Sequence, residues 1–250
     1  MKHVYFLFIA LCLLSGCLHP DKHRRNVKNR NVSPRTRSTS TMVSPVQSKA
    51  PRQVLSGADI FKKYNSAVFM IYTSDGKNVF QGSGFFISAT GIAVSNYHVF
   101  KGTGIGFELI QLADGKRYKV KEVIAKNKQH DFIIFKVQQT ANEKFNYIPI
   151  ADKRPQVGEK VYAIGSPRGL QNTFSSGEVS QWRDQYLMQI NALIDHGSSG
   201  GALINEYGEV IGITSGSFYD GSQANLNYAW SIQVVKPYFN KSTSITVYKN

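Results

Sequence analysis

The sequence predicts an all-β fold built as two small barrels packed together, on three observations. From residue 67 onward the apolar residues fall in short runs, and turn formers such as SDGK, ADGK and NEYGE separate them. That cadence belongs to sandwiches and barrels, not to βαβ units, whose strands alternate with long helical patterns. Residues 54–250 carry the pattern, and a segment of 197 residues suits two small barrels.

In chain order, the first segment is an address. Lys2 precedes an apolar run from Val4 to Leu14, and Leu14-Ser15-Gly16-Cys17 follows. The run falls short of the roughly 20 residues a membrane-spanning helix needs, so 1–16 reads as an export signal. Residues 17–53 form a tether. The stretch HRRNVKNRNVSPRTRSTSTMVSP holds no aromatic residue and no hydrophobic period. Such a segment buries too little apolar area to offset the entropy of ordering it, and as flexible chain it spans on the order of 33 Å. Ser56 is placed to cap a short helix, GADIFKKY, with Ile60, Phe61 and Tyr64 on one side. Strands are then expected at 67–73, 79–88, 91–95, 116–125, 131–137, 159–165, 174–182, 185–194, 201–205 and 209–216. The closing SIQVVKPYF is a second candidate helix, limited by Pro237.

Composition narrows the function. Of 250 residues, 42% are hydrophobic and 18% charged, which excludes collagen, coiled coil and wholesale disorder. A formal charge of +14 would suggest an anionic partner if it were evenly spread. Instead residues 17–53 hold nine basic side chains against one acid, and 54–250 hold twenty against fifteen. The surplus belongs mainly to the tether, which either grips anionic envelope components or serves as a solvated spacer; no specific nucleic-acid partner is expected. Cys12 and Cys17 are the only cysteines, so the globular part has no disulfide and no thiolate metal site.

Three features could carry chemistry. SNYHV places His98 after a strand of small and apolar residues, HDFIIFKV places Asp131 at the mouth of an apolar strand, and GSSGG (197–201) sets Ser199 among glycines before ALIN. Singly, each has an ordinary structural explanation: a packed histidine, a strand cap, a loop. His130 and His196 read as surface loop residues of that kind. Together they supply what acyl transfer by serine needs: a nucleophile, a base, a carboxylate behind the base, and glycines that let backbone N–H groups converge on an oxyanion.

In the order His98, Asp131, Ser199, these residues resemble the chymotrypsin-like serine proteases, and more closely the bacterial HtrA/DegP branch. GSGFFIS, VGEKVYAIGSPRGL, TFSSGEVS and INALIDHGSSGGALINEYGEVIGITSG carry the resemblance from about Val54 to Phe239. It implies two six-stranded antiparallel β-barrels with short N- and C-terminal helices and the active site between them. Ser199 is then the nucleophile, His98 the general base and acid, and Asp131 the orienting carboxylate. The 197–199 backbone (Gly197, Ser198, Ser199) forms the oxyanion hole. Leu193, Ser215, Gly216 and Ser217 line the substrate pocket with no carboxylate to receive Lys or Arg. Cleavage after small or medium apolar residues of unfolded or flexible polypeptides follows. Neither metal nor organic cofactor is implied.

LSGC resembles the bacterial lipobox, which implies lipidation of Cys17 and loss of Cys12, and so no disulfide partner. Leu18, where Asp would favour inner-membrane retention, points to the periplasmic face of the outer membrane. Several residues depart from the family pattern. Ser198 replaces the usual Asn or Asp before the serine, and SNYHV replaces the commoner TNxHV. Only nine residues separate SGEVS from INALI, and no PDZ domain fits after the barrels. The aromatic residues that help HtrA trimers assemble are missing from 18–60, which favours a monomer. The expectation is a lipid-anchored serine endopeptidase of the bacterial envelope. The alternatives are a non-catalytic binding or chaperone-like relative, or a scaffold for the basic tail.

Overall fold

The computed structural model describes residues 52–104, 106–217 and 226–239. The expected signal peptide, Cys17 and nearly all of the tether lie outside the described residues. The first element is the expected helix, α1 (Gly57–Tyr64). Ser56 Oγ caps it by accepting the Asp59 N–H at 3.1 Å, and Ile60 and Tyr64 face inward and are buried.

Seven strands make the first sheet: β1 (Val68–Ser74), β2 (Val79–Phe86), β3 (Ile92–Ser95), β4 (Leu109–Gln111), β5 (Arg117–Tyr118), β6 (Val120–Asn127) and β7 (Phe132–Val137). Their order is β5-β4-β1-β2-β3-β7-β6, all antiparallel. The resemblance implied a closed six-stranded barrel; here the sheet is curled, and its two edges are consecutive in the chain with Lys119 alone between them. Counted as one bent strand, β5 and β6 restore the expected six. The bend has a local cause in the buried Glu108. Its carboxylate accepts the Val120 N–H at 2.7 Å, while its carbonyl accepts from Lys119 Nζ. These contacts occupy backbone and side-chain groups at the point where β5 ends and β6 begins.

The second sheet is a closed six-stranded barrel, ordered β10-β13-β12-β11-β8-β9. Its strands are β8 (Lys160–Gly165), β9 (Thr173–Trp182), β10 (Leu187–Ile190), β11 (Ala202–Asn205), β12 (Val210–Ser217) and β13 (Asn227–Ser231). β4 and β13 were not among the expected strands, and the expected 185–194 strand shortens to β10. The candidate C-terminal helix is corrected as well. Its first residue, Ser231, ends β13, and the rest forms two 3₁₀ turns, Ile232–Val234 and Lys236–Tyr238, the second with Pro237 in its first turn.

Three cores explain the strand sequences. Ile133 and Phe135 fill the first sheet's interior with Phe69, Phe86 and Val120. Val161, Ala163 and Leu203 fill the second barrel with Met188 and Ile190. The alternate residues Phe132, Ile134, Tyr162, Ile164, Ala202 and Ile204 meet in a third core together with Val68 and Phe85 of the first sheet. Because successive strand residues face opposite sides, a strand with a core on both faces must be apolar throughout, which is why FIIF and ALI run without interruption.

Candidate active site

The site lies between the two sheets. His98 opens a 3₁₀ turn (His98–Phe100) just after β3, and Asp131 directly precedes β7, the strand paired with β3. The pairing brings the two residues together. His98 Nδ1 lies 2.7 Å from Asp131 Oδ2, and the His98 backbone N–H donates to Asp131 Oδ1 at 2.9 Å. Against an ionised carboxylate, which only accepts, Nδ1 carries a proton, and in the neutral imidazole Nε2 then keeps its lone pair. Ser215 Oγ donates to the same Oδ2 at 2.9 Å. Asp131 holds a left-handed backbone (φ 46°) that costs a non-glycine residue about 1 kcal/mol or more. Asn96, fully buried, secures that conformation by donating from Nδ2 to the Asp131 carbonyl at 2.8 Å.

Ser199 approaches from the second barrel, on the connection from β10 to β11. Its backbone carbonyl accepts the Ser83 N–H at 2.8 Å, which ties it to β2. A Cβ placed on Gly216 would lie 3.7 Å from Ser199 Oγ, and Gly216 follows Ser215, so the nucleophile candidate and the Asp131 carboxylate flank one short stretch of β12. A register shift between Thr214 and Gly216 leaves Ser215 out of the ladder with β13. This bulge turns the Ser215 hydroxyl toward Asp131 while Thr214 Oγ1 bonds the Ser198 carbonyl at 2.6 Å. Among the described residues no hydrogen bond joins Ser199 Oγ to the His98 ring; such contacts commonly tighten only when substrate binds.

The 197–201 loop answers the question raised by Ser198. Gly197 and Gly200 have φ of 94° and 88°, accessible to glycine at no steric cost. The Ser198 N–H is spent on the Asp195 carbonyl at 2.9 Å. Ser198 therefore leaves the expected set of oxyanion donors. The N–H groups of Gly197 and Ser199 find no partner among the described residues and remain for a ligand. Asp195 pairs with Arg168 at 2.7 Å; the His196 N–H first, and then this guanidinium, hold its carboxyl below the ordinary range.

The expected pocket residues divide. Leu193 is 66% exposed, so its side chain does not wall a closed pocket. Ser215 directs its hydroxyl to Asp131 and offers a pocket only its backbone. Gly216 leaves open the space beside Ser199, and Ser217 ends β12 opposite Asn227. His196 is exposed, as expected. His130 is not a plain surface residue; its ring packs edge-on against Tyr186 and Trp230, 5.2 and 5.6 Å between centroids, joining the 127–131 turn to the second barrel. No group of three His, Cys, Asp or Glu side chains able to hold a metal occurs among the described residues. Sequence reasoning missed Asn96, Gln81 and Arg168. Asn96 had a signal within SNYHV, two residues before the histidine, whereas the partners of Gln81 and Arg168 are distant in sequence.

The trypsin-like peptidase domain family matches residues 82–213. A probable periplasmic serine endoprotease DegP-like of Rhizobium meliloti is 36% identical over 161 residues, 61% of this chain and 31% of that one. Protease Do-like 1, chloroplastic, of Arabidopsis thaliana is 30% identical over 227 residues, 81% of this chain and 50% of that one. This chain thus spans about a third to a half of the length of these relatives. In structure, the serine endoprotease from Yersinia pestis aligns with a TM-score of 0.65 at 26% identity, over 74% of this chain and 66% of that one. With the family match reaching from β2 through the 197–201 loop into β12, the chain, which is similar to DegP-like and Do-like proteases, belongs to the trypsin-like peptidase family.

Proposed function

We propose that the protein is a serine endopeptidase that cleaves unfolded or flexible polypeptides in the bacterial envelope, with Ser199, His98 and Asp131 as its triad. The observation that carries the reading is the pair of contacts from His98 to Asp131, which fix the tautomer with Nε2 free to take a proton. Ser199 Oγ attacks the substrate carbonyl as its proton passes to Nε2. The tetrahedral oxyanion receives the N–H groups of Gly197 and Ser199, each such donor contributing about 3 to 4 kcal/mol in the transition state. Imidazolium, stabilised by Asp131, returns the proton to the leaving amine. Water then repeats the cycle on the acyl-enzyme with the same base.

Substrate preference belongs to the same reading. The residues expected to line the pocket, Leu193, Ser215, Gly216 and Ser217, include no carboxylate, which supports small or medium apolar residues at the cleaved position over Lys or Arg. Periplasmic location, in the name of the Rhizobium meliloti relative, agrees with the export signal and with lipidation at Cys17. More than one acyl chain on that cysteine would anchor the protein stably. The deciding experiment is labelling of the protein with a fluorophosphonate at pH 7.5 beside Ser199→Ala. Labelling lost in the variant is expected; labelling that persists, or folded wild-type protein that stays unlabelled, overturns the reading. A peptide library dominated by Lys or Arg at the cleaved position would overturn the preference. Radiolabelled palmitate retained by Cys17→Ser would overturn the anchor.

A further inference from the structure

The donors of the oxyanion hole are set by peptide planes. In a planar trans peptide the C=O and N–H point in opposite directions, so a carbonyl held on one side aims the following N–H to the other. The His196 carbonyl accepts the Arg168 N–H at 2.7 Å, which turns the Gly197 N–H away from Arg168. The Ser198 carbonyl is held by Thr214 Oγ1 at 2.6 Å and by the Gly201 N–H at 2.9 Å, which turns out the Ser199 N–H. Between them, the Gly197 carbonyl accepts from Ser83 Oγ at 2.7 Å and from Gln81 Nε2 at 3.4 Å. Each plane of the loop has an anchor, and two side chains of β2 reach both the loop and the turn that supports it: Ser83, whose Oγ also accepts the Ser166 N–H at 2.9 Å, and Gln81.

Ser83 meets the turn only at Ser166, whereas Gln81, half-buried on β2, spans it. Its Nε2 donates to the Ser166 carbonyl at 2.7 Å and its Oε1 accepts the Gly169 N–H at 2.9 Å. The carboxamide therefore closes the 166–169 turn from both ends. Within the turn Arg168 has φ of 51°, a left-handed conformation that a non-glycine residue holds only when its surroundings impose it. This backbone delivers the N–H that anchors His196. A Cβ on Gly197 would collide with Gln81 Oε1 and the Ser166 carbonyl, so the fit is close. The Arg168–Asp195 pair lies on the same turn, but side chains 74% and 42% exposed make it a weak holder.

We propose that Gln81 is a positioning residue for the oxyanion hole: its carboxamide staples the 166–169 turn and the Gly197 carbonyl to the first sheet, and so sets transition-state stabilisation without touching substrate. The inference rests on Ser199 acting as the nucleophile. Glutamine is the required group because one end must donate to carbonyls and the other accept an N–H. A glutamate of the same shape would set a charged oxygen against the Ser166 and Gly197 carbonyls, and protonation would restore a donor.

The test uses the full chain with Gln81→Ala and Gln81→Glu, and reads kcat and KM on a flexible peptide per fluorophosphonate-titrated site. Gln81→Ala should lose about 10- to 100-fold in kcat with KM within about twofold. Gln81→Glu should show a deficit at least as large throughout pH 6 to 9, since an ordinary glutamate carboxyl, with a pKa of about 4.3, stays ionised there and offers the carbonyls no donor. A merely structural role would lower the titrated fraction and leave turnover per site intact. A kcat per site within twofold of wild type in Gln81→Ala overturns the inference. If that variant does not fold, a kcat per site within twofold of wild type in Gln81→Glu overturns it. Wild-type protein that does not label at Ser199 refutes the catalytic reading instead, so the two failures are distinguishable.

Discussion

Asp131 carries more of the site than any other side chain: two bonds to His98, one from Ser215, and a strained backbone held by Asn96. Asp131→Asn would present an amide where an acceptor is needed, and kcat should fall about 10⁴-fold with the fold unchanged by circular dichroism. Ser215→Ala removes one donor to the carboxylate and leaves the His98 contacts in place. A kcat loss of about 10- to 150-fold at constant KM is expected from steady-state kinetics, in line with about 1.5 to 3 kcal/mol for a hydrogen bond to a charged group. A change in KM alone would place Ser215 in the substrate pocket, where the sequence put it. At this scale the candidates His98, Asp131 and Ser199 were readable as a set because serine chemistry demands a short list of residue types, and the glycines around Ser199 narrow it further. The contacts that hold these residues were not legible. Gln81 meets Ser166 across 85 positions and Ser83 meets Gly197 across 114, and no local pattern encodes such pairs.

Among elements, β13 and β4 escaped the sequence for different reasons, polar inward residues in the first and length in the second. In β13 the inward positions are Asn227, Ala229 and Ser231, while Tyr228 and Trp230 are the partly exposed ones, which inverts the usual alternation. β4 has three residues, too few for any period. The bend between β5 and β6 was hidden for another reason, because a buried acid at Glu108 sets it from outside the strand. Tyr118, the last residue of β5, donates to Glu143 at 2.6 Å; burial, and then that carboxylate, push its phenol far above the ordinary range, while the Tyr118 hydrogen bond lowers Glu143. The sign follows directly. An unfolded phenol ionises near pH 10, and the folded one holds its proton higher, so stability falls as pH rises through 10. Urea denaturation at pH 8 to 11 should show this decline in wild type and a flatter one in Tyr118→Phe. Equal slopes would remove the pair from the seam.

Across the whole molecule the third core makes the two sheets one unit, since Phe132, Ile134, Ile164 and Ile204 each belong to strands that also line an inner core. Trp182 and Trp230 both lie in the second barrel. Phe86 lies in the first sheet, fully buried and stacked on Phe145 at 4.3 Å. Phe86→Ala should cost about 3 to 5 kcal/mol, and through the shared core it should lower the midpoint reported by tryptophan fluorescence as much as that reported by far-UV circular dichroism. A fluorescence midpoint that stays put would make the sheets independent. The two-barrel plan was visible in the sequence because strands with a core on each side read as unbroken apolar runs. The open seam was not, because a ladder and a peptide bond close a sheet equally well on paper.

That seam has a biological edge. Lys119 joins strands at opposite margins of one sheet, so the cylinder there is completed by the backbone itself. Hydrolysis of that link would release two unpaired margins at once, each a template for aggregation. If the chain works as proposed, among other proteases and copies of itself, it gains by keeping the link poorly accessible. The Lys119 carbonyl accepts the Gln138 N–H at 2.8 Å and its ammonium is tied back to Glu108, so the vulnerable bond is presented to neighbouring enzymes already folded away.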